Sequence, residues 1–456
     1  MVEETLYLNI RKIFCILGLF FAPVSAFAED YVIMDDETEV FLSEIVGKLK
    51  DALGYKSEVK VYISSDRSIN AAAIQSGDIV VNAGALIQSS DYREIIAILA
   101  HEVGHIEGRH IQLFISQTRD FVKAGLVPAL IGAVTAICSG NPAPLIAGMA
   151  GSQSMTQGMA LSKLRQKENI ADTKAAEAMK KLKWPIFEGF VSIHKKLENK
   201  SFAYNEYLST HPLPEKRISK YNEYLEQSKS WQVSEKTKAT LSRFEKTFAR
   251  IKLKMNALTA PKDSLKALYQ NPKNENEKYA RAVVLYRMGR YSESLNLMNE
   301  LDKNDNDISA YFAEIKCMAL INMKRCSESA KVATEALKNI RRIKDHRDLA
   351  VIHAEAVIAG NLINQVPEAI KNLEKVLFPK EDDLSVLTEL GKLYSMSKQD
   401  SKASWCAAKS SFLIGDFKLA KFHAKRAMSS SDKSIRMKAQ DVLNSIDESE
   451  KDNSPE

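Results

Sequence analysis

Apolar positions along the chain keep one period, switch to another and return, and the switches mark its elements. Across Glu37–Ala52 they fall at Val40, Phe41, Ile45, Val46 and Leu49, the spacing of one face of a helix. Val59–Ile63 alternates and predicts a strand; Asp78–Asn82, after the turn at Ser76-Gly77, predicts another. Placed just before the next helix, this second strand is a candidate edge on which an extended peptide could pair. An ordinary internal strand would read the same way. Asp91 stands three residues before Glu94, a capping-box spacing that starts a helix near Tyr92. Ile95, Ile96, Ile98 and Leu99 open its apolar side, and Ile106, Leu113 and Phe114 extend the helical pattern. Residues Phe121–Ala160 are rich in Gly, Ala and Met, and their run Gly125–Cys138 is interrupted by Pro128. Each apolar piece is short for a transmembrane hairpin. The stretch reads as a helical hairpin packed in its domain, or as apolar surface for peripheral membrane or client contact.

Beyond Trp231 the pattern changes. Trp231–Ala257 is a charged helical connector with Leu241, Phe244, Phe248, Ile251 and Met255 on one side, and Pro261 ends it. From Asp263 onward short helices come in pairs: Glu277–Met288 with Ser292–Leu301, Ala310–Asn322 with Ser327–Leu337, Leu349–Leu362 with Pro367–Leu377, and Ser404–Ile414 with Lys418–Met428. Met288-Gly289-Arg290-Tyr291 and Ile414-Gly415-Asp416-Phe417 repeat one another, each ahead of a second helix. A spacing of about 34 to 40 residues fits a tetratricopeptide-like array of about four or five units, closed by a helix at Lys433–Ile446. Such arrays present a concave surface for peptides or partner proteins. The tail Asp447–Glu456 is polar and reads as loose.

Composition narrows the picture. The 456 residues suffice for two or three domains, 45% of them are hydrophobic, and the net charge of +6 comes without a basic cluster. Neither disorder nor a nucleic-acid surface is expected. Arg11 and Lys12 precede the apolar run Ile13–Ala22, and Ala26-Phe27-Ala28 precedes acidic Glu29 and Asp30. Positive, then apolar, then small describes a secretory leader cut after about Ala28. Cysteines of an exported chain can pair. Cys317 and Cys326 are the closest in sequence, with Cys138 and Cys406 the others, and free buried thiols are the alternative.

The candidate chemistry lies in Ala97–His110, AILAHEVGHIEGRH. His101 and His105 are four apart, so on a helix their imidazoles share a face and can reach one ion. Glu102 is offset from His101 by about 100°, close enough to act on a water beside the ion without becoming a ligand. Two histidines and an adjacent general base suit zinc-dependent amide hydrolysis. A chance match in a helical core is the competing reading. His110 nearly completes a metzincin pattern, which requires histidine at position 111 where the chain has Ile111. Helix continuation turns His110 about 180° away from His101.

The third ligand is found in the helix predicted over Leu161–Leu182. Its apolar stripe runs Leu161, Leu164, Ala171, Ala175, Met179 and Leu182, and Glu168 falls within that stripe. A carboxylate facing a core needs a partner, either a cation such as zinc or a Lys or Arg side chain. Asp172, one turn on, can hold a ligand histidine by its outer ring nitrogen. Glu177 lies on the opposite, solvated face. His194 has no comparable context and reads as surface or packing.

His101-Glu102-x-x-His105 followed by Glu168-x-x-Ala171-Asp172 resembles the gluzincin peptidase family that includes HtpX and the CAAX prenyl proteases. Ser68-Ile69-Asn70-Ala71 with Gly77–Asn82, Arg165, and Ser209-Thr210-His211-Pro212 with Arg217-Ile218 agree with that family. Leu164 departs from it, where serine is common. The resemblance covers Glu37–Leu225. It implies one zinc ion per chain, held by His101, His105 and Glu168, with Glu102 as general base. His211 would then donate to the oxyanion or approach the zinc as a fourth ligand; without the resemblance, a turn cap before Pro212 is the simpler reading. A gluzincin domain joined to a tetratricopeptide array also resembles periplasmic proteases of outer-membrane quality control. That implies misfolded or misassembled proteins as substrates, outer-membrane β-barrels above all, and the barrel-assembly machinery as a partner of the repeats. A chaperone or assembly adaptor with a latent protease site is the alternative.

The expected architecture is mainly α: an α+β zincin-type catalytic domain with a small sheet, then an α-solenoid. Its parts are a leader at 1–28, the metallopeptidase domain at 29–228, a helical connector at 229–261, the repeats at 262–446 and the tail at 447–456.

Overall fold

The computed structural model describes residues 7–9, 31–74, 76–108, 154–198, 215–301, 305–378 and 381–452. They form two compact units, one built mainly from Thr38–Thr259 and the other mainly from Ala260–Glu456. The leader apart from 7–9, most of Phe121–Ala160 with Cys138, and both His110 and His211 lie outside the described residues.

In the first unit, strands β1 (Tyr7–Asn9), β2 (Tyr31–Ile33), β3 (Val61–Ser64), β4 (Ala71–Ala73) and β5 (Ile79–Asn82) form one sheet in the order β1-β2-β3-β5-β4. β3 and β5 are parallel, with Val61 opposite Ile79, and the other pairs are antiparallel. The two strands predicted from alternation are both present, but β5 is internal. Among the described residues the edge beside it is β4, which pairs back through a tight turn: Ile74 donates to the Asp78 carbonyl at 2.8 Å, and Gly77 adopts φ +86°. The edge expected at Asp78–Asn82 therefore belongs one strand earlier. β1 lies inside the predicted leader, and leader removal would leave β2 at the opposite edge.

Helices α1 (Asp36–Leu53), α2 (Ala83–Gln88), α3 (Tyr92–Glu107), α4 (Ser154–Leu182), α5 (Phe187–Glu198), α6 (Glu215–Ser228) and α7 (Glu235–Thr259) complete this unit. α3 starts where the capping signal places it. Asp91 accepts from the Arg93 amide at 2.8 Å, while Glu94 accepts from the Ser90 amide at 2.9 Å. The helix is buried on all sides from Glu94 to Gly104. Buried Glu94 is answered from α5 by Lys196 at 2.7 Å and Ser192 at 2.6 Å. α7, read from the sequence as a connector, packs its apolar stripe into this same unit. Phe244 meets Phe41 and Trp184 edge-on at 5.7 and 5.8 Å, and Arg67 donates to Thr259 and Asn256.

The second unit is a series of helix hairpins: α8 (Glu275–Arg287) with α9 (Tyr291–Asn299), α10 (Asn306–Asn322) with α11 (Cys326–Asn339), and α12 (Arg347–Ala359) with α13 (Val366–Leu377). Then follow α14 (Leu384–Met396) with α15 (Asp400–Leu413), and α16 (Phe417–Ala427) with α17 (Lys433–Asp452). The turn inside each of the first four hairpins holds one left-handed residue, at Gly289, Lys324, Asn361 and Lys398. That regular recurrence is the repeat. α14 is absent from the sequence-level pairing, which joined the helices of α15 and α16 as one hairpin. The closing helix buries Ile435, Ala439, Val442 and Ile446 and runs on through Asp452, into what the polar pattern had assigned to a loose tail. Cys317, Cys326 and Cys406 are buried and free.

α3 and α4 approach closely in the first unit. A Cβ built on Gly104 would lie 2.5 Å from the Ala171 carbonyl oxygen, a backbone atom that cannot move alone. Gly104→Ala should therefore destabilise this unit by about 1–3 kcal/mol through overpacking. Thermal unfolding at the wild-type midpoint would show that the two helices have room to separate.

Candidate metal centre

The close approach at Gly104 sets His101 and His105 of α3 against Glu168 and Asp172 of α4. His101 Nε2 lies 3.1 Å from one Glu168 oxygen and His105 Nε2 lies 3.3 Å from the other, with the two histidine nitrogens 3.0 Å apart. All three residues are buried, and their ligating atoms lie within 4.8 Å of one another. Ligands about 2.0–2.2 Å from a tetrahedral zinc are about 3.3–3.5 Å apart, so the cluster has nearly the required span. Nitrogen lone pairs and carboxylate oxygens that converge in this way repel unless a cation stands among them. The residues fit a divalent metal.

Asp172 sets the tautomer. His101 Nδ1 lies 3.0 Å from its Oδ1, and donation of that N–H leaves the Nε2 lone pair aimed at the cluster. Burial alone would pull His101 down, but Glu168 and Asp172 outweigh it and push its pKa up to about 9. The field that holds a proton there is the field that favours a cation. Burial would also raise Asp172, yet its bonds to His101 and Arg217 hold it well below the usual carboxylate range.

Arg217 and Tyr221, one helical turn apart on α6, close the network from below. Arg217 Nε and Nη2 each donate to Asp172 at 2.7 Å, and Nη1 donates to Glu168 at 3.2 Å. The Tyr221 hydroxyl donates to Asp172 at 2.5 Å. Phe190 stacks on Tyr221 with centroids 4.5 Å apart. His194 is packing, as its lack of context suggested. It is buried against Tyr221, its Nδ1 lies 2.7 Å from the Phe190 carbonyl, and burial with the nearby Arg217 pushes its pKa down to about 3.

Glu102 is buried beside the cluster, and its Oε2 accepts from the Ala73 amide at 2.9 Å. Asn70 and Ile74 bond to β5, so in an antiparallel ladder Ala71 and Ala73 point their polar groups the other way. Glu102 is thus tied to the outward side of the edge strand.

The structure brings together His101, Glu102, His105, Glu168 and Asp172; His211 lies outside the described residues. Arg217 appears in the sequence only as part of a resemblance, with no role, and Tyr221 not at all. A signal was present: both lie on the stripe of α6 that faces inward, where an arginine asks for a partner as Glu168 does.

Arg217→Met leaves two carboxylates buried with one cation fewer and should destabilise the first unit by about 3–5 kcal/mol. Arg217→Lys, which keeps the charge but loses the fork, should recover only part of this. Asp172→Asn should weaken zinc binding about 10–100-fold in competition against a chelating dye. Unchanged affinity would mean that His101 is oriented by something else.

The chain is similar in part to known proteins. Residues 37–225 match the model of Peptidase family M48. The beta-barrel assembly-enhancing protease of Yersinia pestis is 25% identical over 330 residues, which is 71% of this chain and 65% of that protein. The chain thus spans less than two thirds of that relative's length. A solved tetratricopeptide domain, that of P58(IPK), aligns over 75% of this chain and 99% of its own, with 13% identity and a TM-score of 0.18. Residues 37–225 thus resemble a domain of peptidase family M48, in a chain similar to a beta-barrel assembly-enhancing protease.

Proposed function

We propose that the chain is a zinc endopeptidase of the bacterial cell envelope. The observation that carries this reading is the convergence of His101, His105 and Glu168 with Glu102 one residue along the same helix. His101, His105 and Glu168 would hold one zinc ion, which when bound polarises a carbonyl and lowers the pKa of water. Glu102 takes the proton of the attacking water and passes it to the leaving amine. The Ala73 amide holds that carboxylate in place, and Asp172 with Arg217 and Tyr221 holds His101. An extended segment of substrate pairs with the outward side of β4, through the groups of Ala71 and the carbonyl of Ala73, beside Glu102. His211 donates to the developing oxyanion, or in a resting form approaches the ion and keeps the enzyme latent.

The relative's name speaks of β-barrel assembly; misassembled β-barrel proteins of the outer membrane as clients, with the repeat unit engaging the barrel-assembly machinery, are our extension of that reading. The leader read in the sequence supports a periplasmic location. Among the described residues no helix is long and apolar enough to cross a membrane.

Glu102→Gln should lower peptide hydrolysis by about 10²–10⁴-fold while zinc stays bound at one equivalent. Chelation should abolish hydrolysis in the wild type, and added zinc should restore it. The inactive variant, purified from the native envelope beside the wild type, should retain outer-membrane barrels that the wild type releases. If it instead fully restores envelope function in a deletion strain, the chain acts as an adaptor and its cleavage is dispensable.

A further inference from the structure

One helix of the second unit presents an outer face unlike the rest. α16 carries Lys418, Lys421, Lys425 and Arg426 and no Asp or Glu. Ala420, Ala424 and Ala427 are buried on one face, so at 100° per residue the opposite face carries Phe422 at its crest, with Leu419 and Arg426 to one side and Lys418 and Lys425 to the other. A soluble helix ordinarily has its polar residues there. Instead Phe422 is 55% and Leu419 42% exposed, and Ile414, just ahead of the helix, is 46% exposed. The Arg426 guanidinium lies 6.0 Å from the Phe422 ring centroid. The acidic groups nearby sit at the margins: Asp416 caps the helix by accepting from the Leu419 amide, and Asp447 pairs with Lys421 at 3.6 Å.

We propose that this face of α16 docks on an anionic lipid surface. Charge complementarity selects the occupant. Two apolar side chains project from a single helix, flanked by long cationic ones whose stems can lie along the interface while their heads meet phosphate. Leu419 and Phe422 insert into the headgroup layer, and Lys418, Lys425 and Arg426 bind lipid phosphates. Each cation near such a surface contributes about fivefold to binding, so three of them give a strong preference for charged over neutral bilayers. The surface is independent of the peptidase reading and lies within the repeat unit.

The test uses the full-length protein in co-sedimentation with vesicles of phosphatidylcholine alone or mixed with phosphatidylglycerol. Wild type should sediment with the mixed vesicles at least tenfold better than with the neutral ones, on the scale of about fivefold per charge. Leu419→Ser with Phe422→Ser, and separately Lys418→Gln with Lys425→Gln and Arg426→Gln, should each reduce this binding by about tenfold or more. Ile363→Ser, at a residue 55% exposed in another hairpin, should leave it unchanged. Tryptophan at position 422 (F422W) should shift its emission to the blue only with anionic vesicles. Wild-type protein that stays in the supernatant overturns the proposal. So does binding that survives loss of Leu419 and Phe422, or binding to soluble polyglutamate but not to vesicles, which would make the face a site for acidic proteins.

Discussion

Two carboxylates buried in one helix contact impose the main constraint on the first unit. Glu168 and Asp172 lie a turn apart on α4, facing α3 across a gap so narrow that only glycine fits at position 104. An ionised carboxylate in such a place costs several kcal/mol unless positive groups or hydrogen bonds answer it. Asp172 is answered by His101 from α3 and by Arg217 and Tyr221 from α6, two elements far apart in sequence. Glu168 accepts from Arg217 and faces two imidazole nitrogens. The unit thus holds one carboxylate with three partners and sets the other against two histidines, a pair of roles that fits a divalent cation at the second.

Much of this was legible because the chemistry violates the pattern around it. Glu168 stands in an apolar stripe, and a helix that buries a carboxylate announces a partner. The His101–His105 spacing on a strongly periodic helix needed no tertiary knowledge. Other parts left no such mark. Ala71–Ala73 has no β-branched or aromatic residue, so the edge strand leaves no mark and its neighbour reads equally as an edge or as an internal strand. Arg217 and Tyr221 come after a segment with no strong period, and their meaning depends on what faces them. In the α7 helix, Leu241, Phe244 and Phe248 were read correctly as one side, but a stripe says only that something covers it. Here α1 and Trp184 do.

The repeats were legible as a class and blurred in count, for a local reason. Gly289 marks its turn plainly, whereas Lys324, Asn361 and Lys398 adopt the same left-handed conformation without being glycine. Such residues carry a modest strain of about 1–2 kcal/mol each, which packing of the flanking helices absorbs. Gly415 makes the same turn as Gly289, with φ +80° and +74°, so the repetition of Met288–Tyr291 in Ile414–Phe417 is structural as well as sequential. A tertiary regularity was present; its residue code was not.

The bond from the Ala73 amide to Glu102 ties the proposed general base to the strand that would hold a substrate. In an enzyme built this way, recognition consists of main-chain ladder bonds, which every polypeptide can make and which carry no side-chain vocabulary. What separates one protein from another is then conformational availability: a folded chain has its strands paired, while an unfinished one still has a length of backbone to lend. Selection of that kind would sort polypeptides by how finished they are.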